Sequence, residues 1–144
     1  MTKEEHANLI KLIERLPIPL KIALTVYGEA RGESEQGKVA VAWVCLNREA
    51  DSVKWNDITD PFQFSCWNLN DPNLGAIMGI LPFNLVFAEC LDIAYGVYFG
   101  KLHDPTGGAT NYYAPAGMPD KNPPYWAKDM QITKAIGGHI FLKA

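Results

Sequence analysis

A chain of 144 residues is the size of one domain, and it buries roughly 68% of its unfolded surface, enough for a hydrophobic core without disulfide or metal staples. With 48% hydrophobic and 20% charged residues the composition is that of an ordinary globular protein, which excludes a disordered or fibrous chain. A formal charge of -3 with no block of basic residues excludes the phosphate neutralisation on which nucleic-acid binding depends.

In chain order, Thr2 and Glu5 have capping-box spacing, and Leu9, Ile10, Ile13 and Leu16 recur at helical intervals. This predicts a first amphipathic helix, with His6 on its charged side, ended by Pro17 and Pro19. A second helix is predicted from about Leu20 to Arg31, carried by Leu20, Ala23, Leu24, Tyr27 and Ala30, with Gly32 in the C-terminal capping role. Ser34 caps a third helix. Its run VAVAWVCL, Val39 to Leu46, is apolar on every side and belongs in the centre of the domain. The alanines and the continuation to Arg48 favour helix over a buried strand there.

From Asp51 to Pro82, Asp-Pro pairs and polar turn residues predict a long ordered loop with at most short helices, the kind of segment that tends to carry function. Asn84 caps a fourth long helix reaching Gly100, with Ala88, Leu91, Tyr95 and Tyr98 on one face. A turn-rich segment from Asp104 to Trp126 holds a short strand candidate around Thr110 to Tyr113. QITKAI and HIFLKA around Gly137 and Gly138 then read as a hairpin. Helices first and a small sheet late predict one α+β domain over 1–144, mainly helical, with a small antiparallel sheet in the C-terminal part. Residues 1–19 form an N-terminal helix and its connection.

Cys45, Cys66 and Cys90 are odd in number, widely spaced and flanked by apolar or aromatic residues, which predicts free buried thiols. The charged N-terminus does not read as a secretory signal, and no stretch approaches the roughly 18 apolar residues of a membrane span. The expectation is a chain first kept in the cytoplasm, with no stable membrane association.

The stretch YGEARGESEQG, Tyr27 to Gly37, sets a cluster of charge beside the apolar third helix. Near the end of a core-packed helix, Glu29 would see apolar walls that disfavour its charged form and make it a usable proton donor. Glu33, four residues on, would face it if the helix persisted through Gly32. Glycosidic cleavage needs such an acid together with a cleft that grips sugar rings. Trp55, Trp67, Tyr112, Tyr113 and Trp126 offer stacking faces, and Gln63, Ser65, Asn68, Thr110 and Asn111 offer hydrogen-bonding groups. The competing reading of each is plain: a solvated helix end for Glu29, core packing for the aromatics. No HxxxH pair points to a metal and no GxSxG elbow to a serine nucleophile; a Cys-His pair meeting only in the fold stays open.

YGEARGESEQGKVAVAWVCLNR resembles the signature of the SleB-type cell-wall hydrolases, the group of spore-cortex-lytic enzymes and related phage and bacterial peptidoglycan hydrolases. FQFSCW (Phe62 to Trp67), DPTGGATNYYAP (Asp104 to Pro115) and AIGGHIF (Ala135 to Phe141) resemble that family's later blocks in the family's order, so the likeness spans most of 20–144. The resemblance implies a lysozyme-like catalytic domain that cuts glycan strands between N-acetylmuramic acid and N-acetylglucosamine, commonly as a lytic transglycosylase, with Glu29 as the catalytic acid. It places Gln63, Phe64, Ser65 and the strand Thr110, Asn111, Tyr112, Tyr113 near the sugars, and Glu33 and Trp67 count with them as substrate-binding candidates. Asn111 stands where the resemblance implies a histidine or aromatic residue in relatives.

The implied partner is the peptidoglycan glycan strand, met by a monomer with no metal and no organic cofactor. The pattern looks most like a phage endolysin, stored in the host cytoplasm and acting on the wall after release. A hydrolytic muramidase using the same acid, a non-catalytic peptidoglycan-binding module, and a peptidase or amidase with a metal or Cys-His pair are the alternatives.

Overall fold

The computed structural model describes residues 1–144 and is α+β, with five α-helices and a three-stranded antiparallel sheet formed late in the chain. Helix α1 spans Lys3–Ile13, and its capping box forms as expected: the Thr2 hydroxyl accepts from the Glu5 amide at 3.1 Å while Glu5 Oε2 accepts from the Thr2 amide at 2.9 Å. His6 corrects the expectation of a charged-side residue. It is buried with Ile10 and Ile13, its Nε2 2.8 Å from the Trp67 carbonyl. A carbonyl can only accept, so Nε2 carries the hydrogen.

Helix α2, Ile18–Ala30, begins earlier than expected, because Pro19 sits in the first turn, where a missing amide hydrogen costs no helical bond. Gly32 does not serve as a left-handed cap. The glycines with positive φ are Gly100, Gly107, Gly108 and Gly137. Arg31 instead bends back, and Nη1 donates to the Tyr27 and Gly28 carbonyls at 3.2 Å each.

Helix α3, Glu35–Ala50, is capped by Ser34, whose hydroxyl accepts from the Gly37 amide at 3.2 Å. A short α4, Pro72–Met78, lies within the long connection, and α5, Leu85–Tyr98, is capped by Asn84. α2 packs against α3, α4 and α5, and Ile22, Val26, Val41, Val44 and Val97 are fully buried where these helices meet. The face of α5 that carries Ala88, Leu91, Tyr95 and Tyr98 is not the most buried one. Cys90, Ile93, Ala94 and Val97 turn inward, whereas Tyr95 and Tyr98 face solvent. Most sides of this helix are apolar, and the stripe with smaller side chains is the one that lets α2 approach.

The sheet has the order β1-β3-β2, with β1 Asn111–Tyr113, β2 Gln131–Ile136 and β3 His139–Lys143. The expected hairpin forms around Gly137, at φ 54°, and β1 adds antiparallel to β3 with Tyr112 opposite Phe141. Side chains of α3 carry the chain into this sheet: Trp43 Nε1 donates to the Leu102 carbonyl at 3.0 Å, and Asn47 Nδ2 to the Ala109 carbonyl at 2.9 Å.

The long connection is folded onto α2 by one short 3₁₀ turn, Ser65–Trp67. A Cβ added at Gly28 would fall 2.7 Å from Cys66 Cβ and 2.7 Å from Ile77 Cδ1, so this approach requires a glycine. Trp67 is fully buried and donates Nε1 to the Thr25 hydroxyl at 3.0 Å. Gly28→Ala should push the turn off the helix and destabilise the fold by roughly 1–3 kcal/mol, the usual cost of overpacking a filled contact. Thermal unfolding checks this, and an unchanged melting temperature would show that the contact is not constraining.

Candidate active site

Glu29 lies in the last turn of α2, half-buried, with its side chain in the wall of a cavity of about 380 Å³. Its Oε1 accepts from the Cys66 amide at 3.1 Å and from the Ser65 hydroxyl at 3.3 Å, which fixes the rotation of the carboxyl group. Tyr112, from β1, lines the same cavity as Glu29. Burial pushes the Tyr112 phenol well above its ordinary value, and the negative charge of Glu29 adds to the effect, so the phenol stays a donor. The Tyr112 ring is held edge-on to His139 at 4.8 Å and tilted on Phe141 at 5.7 Å.

Of the residues expected near the sugars, Gln63, Phe64, Ser65, Asn111 and Tyr112 line this cavity with Glu29, and Trp55 and Trp126 join them. Four others lie elsewhere. Trp67 is enclosed in the core. Thr110 turns its hydroxyl to Asn111 Oδ1 at 2.9 Å, and Tyr113 packs edge-on against Trp126. Glu33 leaves the helix axis because α2 ends at Ala30, and its Oε1 accepts from the Gly138 amide at 3.0 Å. Oε1 also lies 3.3 Å from His139 Nδ1, off the line of a hydrogen bond. Glu33 therefore ties the β2–β3 turn to the chain just beyond α2 and does not face the cavity.

Two cavity residues escaped the reading of the sequence as site residues, Arg48 and Phe62. Arg48 is buried at the end of α3, its guanidinium sandwiched between the rings of Trp55 at 4.2 Å and Phe64 at 4.4 Å. Nε donates to the Thr110 carbonyl at 2.6 Å and Nη1 to the Gln63 carbonyl at 2.5 Å, joining the long loop to β1 across the cleft floor. Burial lowers its pKa from the ordinary arginine value. A lone cation closing an apolar helix was the available signal.

The three cysteines are free and buried, as expected. Burial raises each thiol: Cys90 reaches about 11, and Cys66 is raised well above its ordinary value, with the Glu29 charge adding to desolvation. A thiol held protonated in this way is a poor nucleophile. No group of three or more His, Cys, Asp or Glu side chains is placed to hold a metal ion.

A helix-end carboxylate thus faces an aromatic-lined cleft, with a small sheet packed beside it. The chain belongs to the cell wall hydrolase family, whose model matches residues 32–142. Among solved structures it is similar to the catalytic domain of the Bacillus cereus SleB protein, with TM-score 0.60 and 31% identity over 88% of this chain and 89% of that one. It is likewise similar to the catalytic domain of the germination-specific lytic transglycosylase SleB from Bacillus anthracis, with TM-score 0.59 and 32% identity over 88% and 93%. The spore cortex-lytic enzyme of Halalkalibacterium halodurans is 36% identical over 120 residues, which are 83% of this chain and 33% of that protein. The Bacillus cereus enzyme of the same description is 34% identical over 126 residues, 85% and 42%. The chain thus spans about a third to two fifths of the curated relatives it matches.

His139 gives the site a pH signature. Burial lowers its pKa below the ordinary 6.5, while the charges of Glu33 and Glu29 pull the other way. A base with a depressed folded pKa contributes stability that is complete above its unfolded value and is lost as pH falls through the folded value, because the unfolded chain takes up the proton first. The melting temperature of His139→Gln should therefore fall less than that of the parent between about pH 7 and pH 5. Equal slopes in a pH series of thermal scans would count against a buried neutral ring.

Proposed function

We propose that the protein cleaves peptidoglycan glycan strands between N-acetylmuramic acid and N-acetylglucosamine, with Glu29 as the general acid of a lytic transglycosylase. The observation that carries this reading is that Glu29 is the one carboxylate lining the cavity, oriented on Oε1 by the Cys66 amide and the Ser65 hydroxyl. The Bacillus anthracis relative, described as a lytic transglycosylase, supports the same choice.

In this mechanism the protonated Glu29 carboxyl gives its hydrogen to the glycosidic oxygen as the bond from that oxygen to C1 of N-acetylmuramic acid breaks. Positive charge gathers on the sugar ring, and the neighbouring N-acetyl oxygen of the substrate stabilises it, as in substrate-assisted glycosidases. The Glu29 carboxylate then accepts the proton of the same sugar's C6 hydroxyl while O6 bonds to C1, leaving a 1,6-anhydro end and a reprotonated acid. An inverting hydrolysis would need a second carboxylate across the cleft to activate water. Glu33, next along the chain, points at the Gly138 amide instead.

Glu29→Gln keeps the shape of the side chain and should lower the rate of fragment release from purified peptidoglycan by roughly 10²-fold or more, the range for losing a general acid. Mass spectrometry of the parent's products should show 1,6-anhydro ends. Reducing ends would make the enzyme a muramidase, and near-parent turnover by Glu29→Gln would remove the acid assignment. The endolysin role suggested by the sequence is part of this proposal: added enzyme should lyse cells whose membrane has been permeabilised.

A further inference from the structure

Five aromatic rings line the cavity, and four of them are engaged within the protein. Trp55 and Phe64 enclose Arg48, Tyr112 packs on His139 and Phe141, and Trp126 meets Tyr113. Phe62 has no ring or cation partner and is 88% exposed, so its side chain gains almost nothing from burial in the folded state. Its backbone is unfavourable too. Phe62 lies at φ 73°, a left-handed conformation that glycine adopts freely and a bulky residue rarely does.

This geometry is fixed by specific bonds. The Phe62 amide donates to Asn68 Oδ1 at 2.6 Å, and the Asn68 amide donates to the Ser65 carbonyl at 2.9 Å, closing the 3₁₀ turn. On the other side, the Gln63 carbonyl accepts from Arg48. The turn that aims the Ser65 hydroxyl and Cys66 amide at Glu29 therefore also locks Phe62 at the cleft. A strained, uncovered phenylalanine built into a cavity wall finds its reason in what occupies the cavity.

We propose that Phe62 is a binding platform for the apolar face of an N-acetylhexosamine ring, a subsite that rests on the glycan-cleaving reading of the cleft. The chemistry of the lining selects an uncharged ligand. The one cation, Arg48, lies between two rings and donates Nε and Nη1 to the Thr110 and Gln63 carbonyls, whereas Gln63, Ser65 and Asn111 offer neutral polar groups suited to hydroxyl and acetamido substituents. A pyranose ring presents one face of C–H groups to an aromatic plane and its hydroxyls outward, matching this division.

The test measures co-sedimentation with purified peptidoglycan in a Glu29→Gln background, where bound glycan is not consumed. Adding Phe62→Gly should weaken binding about five- to tenfold, the worth of one aromatic contact, while leaving the melting temperature unchanged or raised because glycine relieves the strain. Adding Phe62→Tyr, which keeps the ring, should bind within about twofold of the Phe62 protein. With Glu29 restored, Phe62→Gly should raise KM and leave kcat near the parent value. Unchanged affinity in Phe62→Gly, equal losses in the glycine and tyrosine variants, or lost binding with a lowered melting temperature would each overturn the platform alone. If the Glu29→Gln protein with Phe62 intact fails to co-sediment, the glycan reading of the cleft falls, and the platform with it.

Discussion

Glycine at position 28 lets the Ser65–Trp67 turn approach α2 closely enough for the Cys66 amide to reach Glu29, and that approach sets the direction of the acid. Three further contacts seat the turn: Trp67 on the Thr25 hydroxyl, His6 on the Trp67 carbonyl, and the fully buried Cys66 side chain against the helix. α1, which carries His6, thus supports the site without approaching the cleft. Any shift of the turn moves both donors to Glu29 together with the Asn68 anchor of Phe62, so the acid and the cleft wall are one mechanical unit.

A second constraint acts from the opposite side. Burying a cation is costly unless its hydrogens find acceptors, and Arg48 finds them in two backbone carbonyls rather than in a carboxylate. The planar guanidinium fits between two rings while its edge spans the loop and β1, which a lysine ammonium on a flexible stem would not reproduce. Because the acceptors are main-chain atoms, Arg48 fixes backbone positions: Gln63 on one wall of the cleft and Thr110, next to Asn111, on the other.

Features decided within one turn of chain were legible in the sequence. Thr2 with Glu5, Ser34 and Asn84 cap helices because each acceptor lies three residues from its donor, and the Gly137–Gly138 pair marks the hairpin for the same local reason. Glu29 and, from the FQFSCW block, Gln63, Phe64 and Ser65, grouped from the sequence, line one cavity. What escaped depends on partners far along the chain. His6 finds Trp67 and Glu33 finds Gly138, more than 60 and 100 residues away respectively. Tryptophan at position 67 reads equally well as platform or core, and the packing of the turn on α2 decides for the core. In α5 two apolar stripes were available, and the close approach of α2 favours the one with smaller side chains.

These placements leave an economical electrostatic arrangement in the cleft. Glu33 is turned to the hairpin amide and Arg48 is covered by rings, so Glu29 is the ionisable group best placed to meet a ligand. In the proposed reaction the only protein charge that must change is that of Glu29, which gives a proton to the leaving oxygen and takes one back as the 1,6-anhydro bond closes. A fixed second carboxylate would stabilise the cationic ring in its place and hold an attacking water, favouring a hydrolytic outcome. Glu33, bonded to the Gly138 amide, lines no part of the cavity, so in the proposed reaction no second carboxylate stands ready to hold an attacking water.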